Sequence, residues 1–249
     1  MASTGVGRAA APADSADLTS QLFRAVDAGD TPLVRVLIQK GADINAVRDG
    51  CRNPLCNAAF GGKTEVVRVL LGAHADINPK LPKGCSPPLS QAISGGNTGI
   101  VRMLIRYGAD LEAHGRAGET PMITASANGD LAALRLLVIA HADPNSKDDA
   151  GETALIWAAR REYYAAADLL IRAGARRDLK NGQGRTALDV FLGAKAGSWN
   201  PFAGFTEYER LPAAIRNRPP DGFDLAGWRT LDENARYRAR FEILLRTGR

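Results

Sequence analysis

One short signature returns through this chain at a nearly fixed interval. Gly41-Ala42-Asp43 is followed by His74-Ala75-Asp76, Gly108-Ala109-Asp110, His141-Ala142-Asp143 and Gly174-Ala175-Arg176, at spacings of 33, 34, 33 and 33 residues. A second marker keeps the same phase: Asn53-Pro54-Leu55, Pro87-Pro88-Leu89, Thr120-Pro121-Met122, Thr153-Ala154-Leu155 and Thr186-Ala187-Leu188. Between the two lies an apolar run, such as Val66-Val67-Arg68-Val69-Leu70-Leu71 or Ile100-Val101-Arg102-Met103-Leu104-Ile105. A unit of this length cannot bury its apolar face alone. It must stack on copies of itself, and that excludes most other architectures.

The period alone does not choose between helical repeat families, because another has 34 residues. That family's Trp…Leu-Gly…Tyr pattern is absent. Thr-Pro-Leu, Ala-Ala-x-x-Gly and Gly-Ala-Asp-x-Asn recur in register, and in this the chain resembles the ankyrin repeat over about residues 18–192. The resemblance implies an all-α fold: an ankyrin-repeat solenoid of stacked helix-turn-helix units with β-hairpin fingers. About five repeats are full and a sixth is interrupted. Local chemistry agrees. Thr120 suits an N-cap with Pro121 at the first helical position. Gly62, Gly96 and Gly129 suit a turn that needs positive φ. Asp130, Asn97 and Thr64 are expected to cap the second helix of their repeats.

This register also disposes of a nucleotide-site reading. Gly62-Lys63-Thr64 ends like a P-loop, but the first glycine of that motif would fall on Asn57, and no strand precedes it. Gly61-Gly62 is read instead as the helix–helix turn of the second repeat, with Lys63 a solvated turn residue.

Four segments are expected: a disordered tail over 1–17, repeats over 18–194, an aromatic-rich insertion over 195–231, and over 232–249 the second helix of the last repeat or a C-terminal capping helix. In repeat five Ala154 and Gly174 are 20 residues apart, whereas Ala187 and Gly248 are 61 apart. The excess is the insertion. It holds Trp199, Phe202, Phe205, Tyr208, Phe223 and Trp228, six of the chain's fifteen aromatics. These suit either a cover for the last repeat or a contact site for a partner.

Composition excludes several classes. The chain of 249 residues is 45% hydrophobic and 24% charged, with a net charge of +5. No apolar run approaches the length of a membrane span. Basic and acidic residues are interspersed. That argues against a dedicated polyanion site, although a nucleic-acid or polyanion association remains the alternative, as does a fixed place in a larger assembly. The three cysteines, with no secretion signal, point to a reducing compartment and a cytoplasmic protein, nuclear or organellar placement remaining open. Cys51 and Cys85 share one finger position in neighbouring repeats. At the about 8–10 Å of stacked helices they are expected as free thiols, with a redox bridge left open by finger mobility. His74 and His141 replace the helix-ending glycine, and no ligand or nucleophile constellation emerges. No enzyme activity, metal or cofactor is expected.

The resemblance implies a non-catalytic adaptor or scaffold that binds a protein through its concave surface of fingers and inner helices. Carried onto this chain, the contact residues are Arg52, Lys83, Arg116, Lys147, Lys180 and Arg185 on fingers, and Phe60, Arg160 and Arg161 on helix ends. Trp157 joins them as a large aromatic where other repeats have Asn57, Gln91 and Thr124, its other reading being packing between repeats five and six. Trp199, Phe202, Phe205, Tyr208 and Trp228 of the insertion complete the set. The surplus of basic residues suits a partner with an acidic surface, bound by a chain that is monomeric by itself.

Overall fold

The computed structural model describes residues 12–48, 51, 53–193 and 233–248. Two compact units divide at Ala109 and Asp110. The first holds α1 (Pro12–Ala28), α2 (Thr31–Gln39), α3 (Pro54–Phe60), α4 (Thr64–Gly72), α5 (Pro88–Ser94) and α6 (Thr98–Arg106). The second holds α7 (Pro121–Asn128), α8 (Leu131–Ile139), α9 (Ala154–Arg160), α10 (Tyr164–Arg172), α11 (Ala187–Gly193) and α12 (Glu233–Thr247). Helix α1 opens at Pro12, within the stretch expected as a tail.

Each repeat is a pair of antiparallel helices, and the sequence explains both. The inner helices α3, α5 and α7 start with proline, whose missing N–H costs nothing there. Asn53 accepts from the amides of Leu55 (2.9 Å) and Cys56 (3.3 Å). Thr120 and Thr153 cap α7 and α9 in the same way. Each such cap stabilises its helix by about 1 kcal/mol. Ala58, Ala59, Ala92, Ala125, Ala158 and Ala159 are fully buried, so small side chains let inner helices lie close. In the first unit α1, α3 and α5 form one row and α2, α4 and α6 the other. In the second unit the rows are α7, α9, α11 and α8, α10, α12.

The turn between paired helices needs positive φ. Gly29, Gly62, Gly96 and Gly129 provide it, and in repeat five Glu162 adopts φ 58° in the same place. That helix pair therefore joins like the others despite lacking the glycine. Of the expected caps after this turn, Asp130 does accept from Ala133 N at 2.9 Å, as Asp30 does from Leu33 N at 3.0 Å. Thr64 and Asn97 do not cap. Thr64 is the first residue of α4, and the Asn97 amide donates instead to the carbonyls of Ala59 (2.8 Å) and Phe60 (2.9 Å). A cross-repeat clamp has replaced the local bond.

The second helices end on a left-handed residue, Gly41, Gly108 or Gly174, or His74 (62°) and His141 (64°). The Asp after that cap makes a local turn: the carboxylates of Asp43, Asp76, Asp110 and Asp143 each accept from the amide two residues on at 2.9 Å. Asn45 then accepts from Asp76 N (2.9 Å) in the first unit, and Asn145 from Arg176 N (2.7 Å) in the second. One Asx signature thus stitches a repeat to its neighbour. The fingers beyond are turns rather than ladders. Lys147 and Thr153 form an isolated β-bridge in one of them.

Helix α12 packs on α11 and α10. The buried Phe241 ring meets Phe191 edge-on at 4.8 Å and Tyr164 at 6.0 Å. Gly248 has φ 74°, and Arg177 Nη1 donates to Arg246 O at 2.6 Å.

Candidate functional site

Ankyrin-type finger tips and inner-helix ends are where side chains vary without cost to the stack, so the candidate site is built from them, one unit at a time. Arg52, Trp199, Phe202, Phe205, Tyr208 and Trp228, with the whole 195–231 insertion, lie outside the described residues.

In the first unit, inner helix α3 presents Phe60 at its end. Its ring is 55% exposed while its carbonyl is held by Asn97. Gly95, at the end of α5, packs so closely that a Cβ there would run into the Phe60 carbonyl oxygen. Beside Phe60 opens a groove of about 380 Å³ lined by Asp27, Cys51, Cys56, Asn57, Phe60, Gly61, Lys63 and Gln91. The Asn57 amide donates to Asp27 at 2.9 Å. Lys63 is not a free turn residue: its stem lies over Gly29 and Gly61. Lys83 is exposed on its finger.

Cys51 and Cys85 form a disulfide with a Cα separation of 5.1 Å. This overturns the free-thiol expectation. The error was to give fingers the spacing of helices. Finger tips approach far more closely, as in the second unit, where Asp149 N donates to Ala117 O (2.9 Å) and Gly182 N to Ala150 O (2.8 Å). A sequence signal existed. Gly118, Gly151 and Gly184 occupy the cysteine position with positive φ, but in Gly84-Cys85 the positive-φ residue is Gly84, one place earlier. Cys85 is thereby free of that constraint. With the bridge goes the argument from cysteines for a reducing compartment. Cys56 is a buried thiol, and burial pushes its pKa up to about 12, which leaves it unreactive.

In the second unit the fingers carry buried acids. Glu152 is 6% exposed and accepts from both the Arg160 guanidinium and Asn181 Nδ2 (3.2 Å). Asp148, also buried, accepts from Ala150 N (2.9 Å), Glu152 N (2.8 Å) and Trp157 Nε1 (3.0 Å). The Arg160 guanidinium lies over the Trp157 ring at 5.6 Å. A half-buried tryptophan and an exposed arginine are thus both fixed by carboxylates beneath them. Arg116, Lys147, Arg161 and Lys180 are exposed in the same unit. Lys147 Nζ also donates to Lys180 O at 2.8 Å. Arg185 is half-buried and donates to Gln183. Sequence reasoning found Trp157 and Arg160 but missed Asp148 and Asn181, whose burial shows only once their partners are placed. His114 Nδ1 lies 2.8 Å from Gly118 O. Among the described residues no cluster of His, Cys, Asp or Glu is arranged to hold a metal, and no helix is long and apolar enough to cross a membrane.

A family model of ankyrin repeats, three copies to a match, fits residues 22–115, 55–148 and 122–197. The comparison with curated proteins finds no match. Among solved structures the chain is similar to a chain of the Bd0816 predatory endopeptidase from Bdellovibrio bacteriovorus in complex with immunity protein Bd3460. Identity is 33% and the TM-score is 0.63, over 70% of this chain and 91% of that one. The fold matches 545 solved chains in all, so fold alone assigns no function. The chain belongs to the ankyrin-repeat family, whose repeats are in general a non-catalytic scaffold for binding proteins.

Proposed function

We propose that this ankyrin-repeat protein is a non-catalytic binding protein whose second unit docks a partner with an acidic surface. The observation that carries this reading is the Trp157–Arg160 pair, immobilised by Asp148 and Glu152, in a unit that also exposes Lys147, Arg161 and Lys180. Rigid aromatic and arginine anchors lose little entropy on docking, and a cationic rim speeds encounter with an acidic surface. Of the exposed acids beside these fingers, Asp178 is paired with Arg176.

Helix α12 serves as the second helix of the last repeat. The contacts of Phe241 with Phe191 and the left-handed Gly248 support this. A second reading is that the partner is an endopeptidase and this chain its immunity protein. The likeness to the endopeptidase–immunity complex supports it. The Cys51–Cys85 bridge favours residence in an oxidising compartment.

The test is affinity capture with cross-linking at low salt, comparing the wild type with Arg161→Glu combined with Lys180→Glu. These two side chains are exposed, so their reversal spares the fold. Capture weakened about tenfold or more, and less so as salt is raised, is expected for a cationic docking rim. Undiminished capture would remove the acidic-partner assignment, and retention on heparin without any protein partner would favour a polyanion binder.

A further inference from the structure

The groove of the first unit takes no part in the docking just described, and its lining combines aromatic, sulfur and amide groups. Its about 380 Å³ is of the size that admits one large side chain rather than a helix. One wall is the exposed face of Phe60, whose backbone is clamped by Asn97. Another is Cys51, half of the bridge that ties two fingers. The amides of Asn57 and Gln91 supply polar partners. Among the described lining residues, Asp27 and Lys63 bring one charge of each sign. An aromatic face, a sulfur wall and two amides complement an uncharged aromatic side chain with a polar tip.

We propose that this groove is a docking site for a tyrosine-like side chain of a partner protein, and that it exists in full only while the Cys51–Cys85 bridge is closed. The bridge ties the Cys51 finger, which lines the groove, to its neighbour, where in the second unit backbone hydrogen bonds join neighbouring fingers. An external dithiol opens it. A thiolate attacks Cys51 sulfur, Cys85 leaves as a thiol, and the reagent's second sulfur closes on the first to release Cys51 as a thiol and the oxidised reagent. Cys56 stays a spectator because it is buried and protonated. The inference takes from the proposed function only that a protein carries the side chain.

The experiment uses the full-length oxidised chain, isotope-labelled, titrated with N-acetyl-tyrosinamide and with N-acetyl-argininamide while the Asn57 and Gln91 side-chain amides and the Gly61 amide are followed by NMR. Saturable shifts are expected with the tyrosine probe at a dissociation constant on the order of millimolar. Phe60→Ala should weaken it about threefold or more, as should dithiothreitol or the Cys51→Ser, Cys85→Ser pair. Four results would overturn the proposal: no saturable shifts, an equal response to the arginine probe, indifference to Phe60→Ala, or equal binding by the reduced chain. Phe60 is exposed, so its variant decides the matter even if reduction unfolds the unit. A blank titration would remove the groove and leave the Lys147–Lys180 docking rim standing.

Discussion

The two units solve one problem by different means. Each must hold its fingers in place so that a binding surface exists. The first unit does so covalently, through Cys51–Cys85, and leaves Phe60 exposed beside an open groove. The second does so with buried carboxylates and backbone bonds, and sets the Arg160 guanidinium over its own aromatic, Trp157. The difference teaches that a repeat position does not carry a role by itself. Asn57 and Trp157 are register equivalents, as are Phe60 and Arg160, and their environments make one pair a cavity wall and the other a filled, rigid knob.

The largest break in this comparison should come from reducing the bridge. It closes a loop with a sequence separation of 34, and a loop of that size contributes about 3–4 kcal/mol through the unfolded chain. Chemical denaturation with and without reductant should show that loss for the first unit. A reduced chain of unchanged stability would mean the bridge is incidental.

Next comes Glu152→Ala. It strips Arg160 and buried Asn181 of their acceptor. Because Arg160 is partly exposed, the cost is set near about 2 kcal/mol, below that of a fully buried pair. The loss should fall on the second unit, and a change below about 0.5 kcal/mol would show that these contacts do not secure its fingers.

Cys56 gives a pH signature. Its folded pKa is raised from 9.0 to about 12 by burial. The native state therefore keeps its proton where the unfolded chain loses it, and the stability this thiol contributes is complete below pH about 9 and declines between there and about 12, by at most about 1.4 kcal/mol per pH unit. Substituting Cys56→Ala should flatten that decline, whatever its cost at neutral pH.

The smallest effect sharpens rather than breaks. Glu162 sits at φ 58° where other repeats have glycine. Glu162→Gly should stabilise the second unit by up to about 1 kcal/mol, less whatever contact the Glu162 side chain gives up. A clear loss by thermal denaturation would show that this contact outweighs the strain.

Much of the fold was legible because repetition fixes it. Thr120, Pro121, Gly129 and Asp130 each had a local reason to be there, and each performs it. What was not legible depended on distances between repeats. Asn97 gave up a local cap for two carbonyls a repeat away. Cys51 and Cys85 were judged by the spacing of helix axes, which fingers do not share. At the candidate site, Lys83, Arg116, Lys147 and Lys180 are exposed as composition suggests, whereas Glu152 reads as a solvated finger acid and is buried. Burial of a charge follows from which partners converge on it, and no single repeat contains them.

The most direct test of protein binding is cross-linking mass spectrometry on the chain bound to whatever partner it captures. The account predicts lysine cross-links from the fingers of the second unit, at Lys147 and Lys180, and their loss when Trp157→Ala abolishes capture. Cross-links confined to Lys40, just after outer helix α2, with none from the fingers, would contradict it.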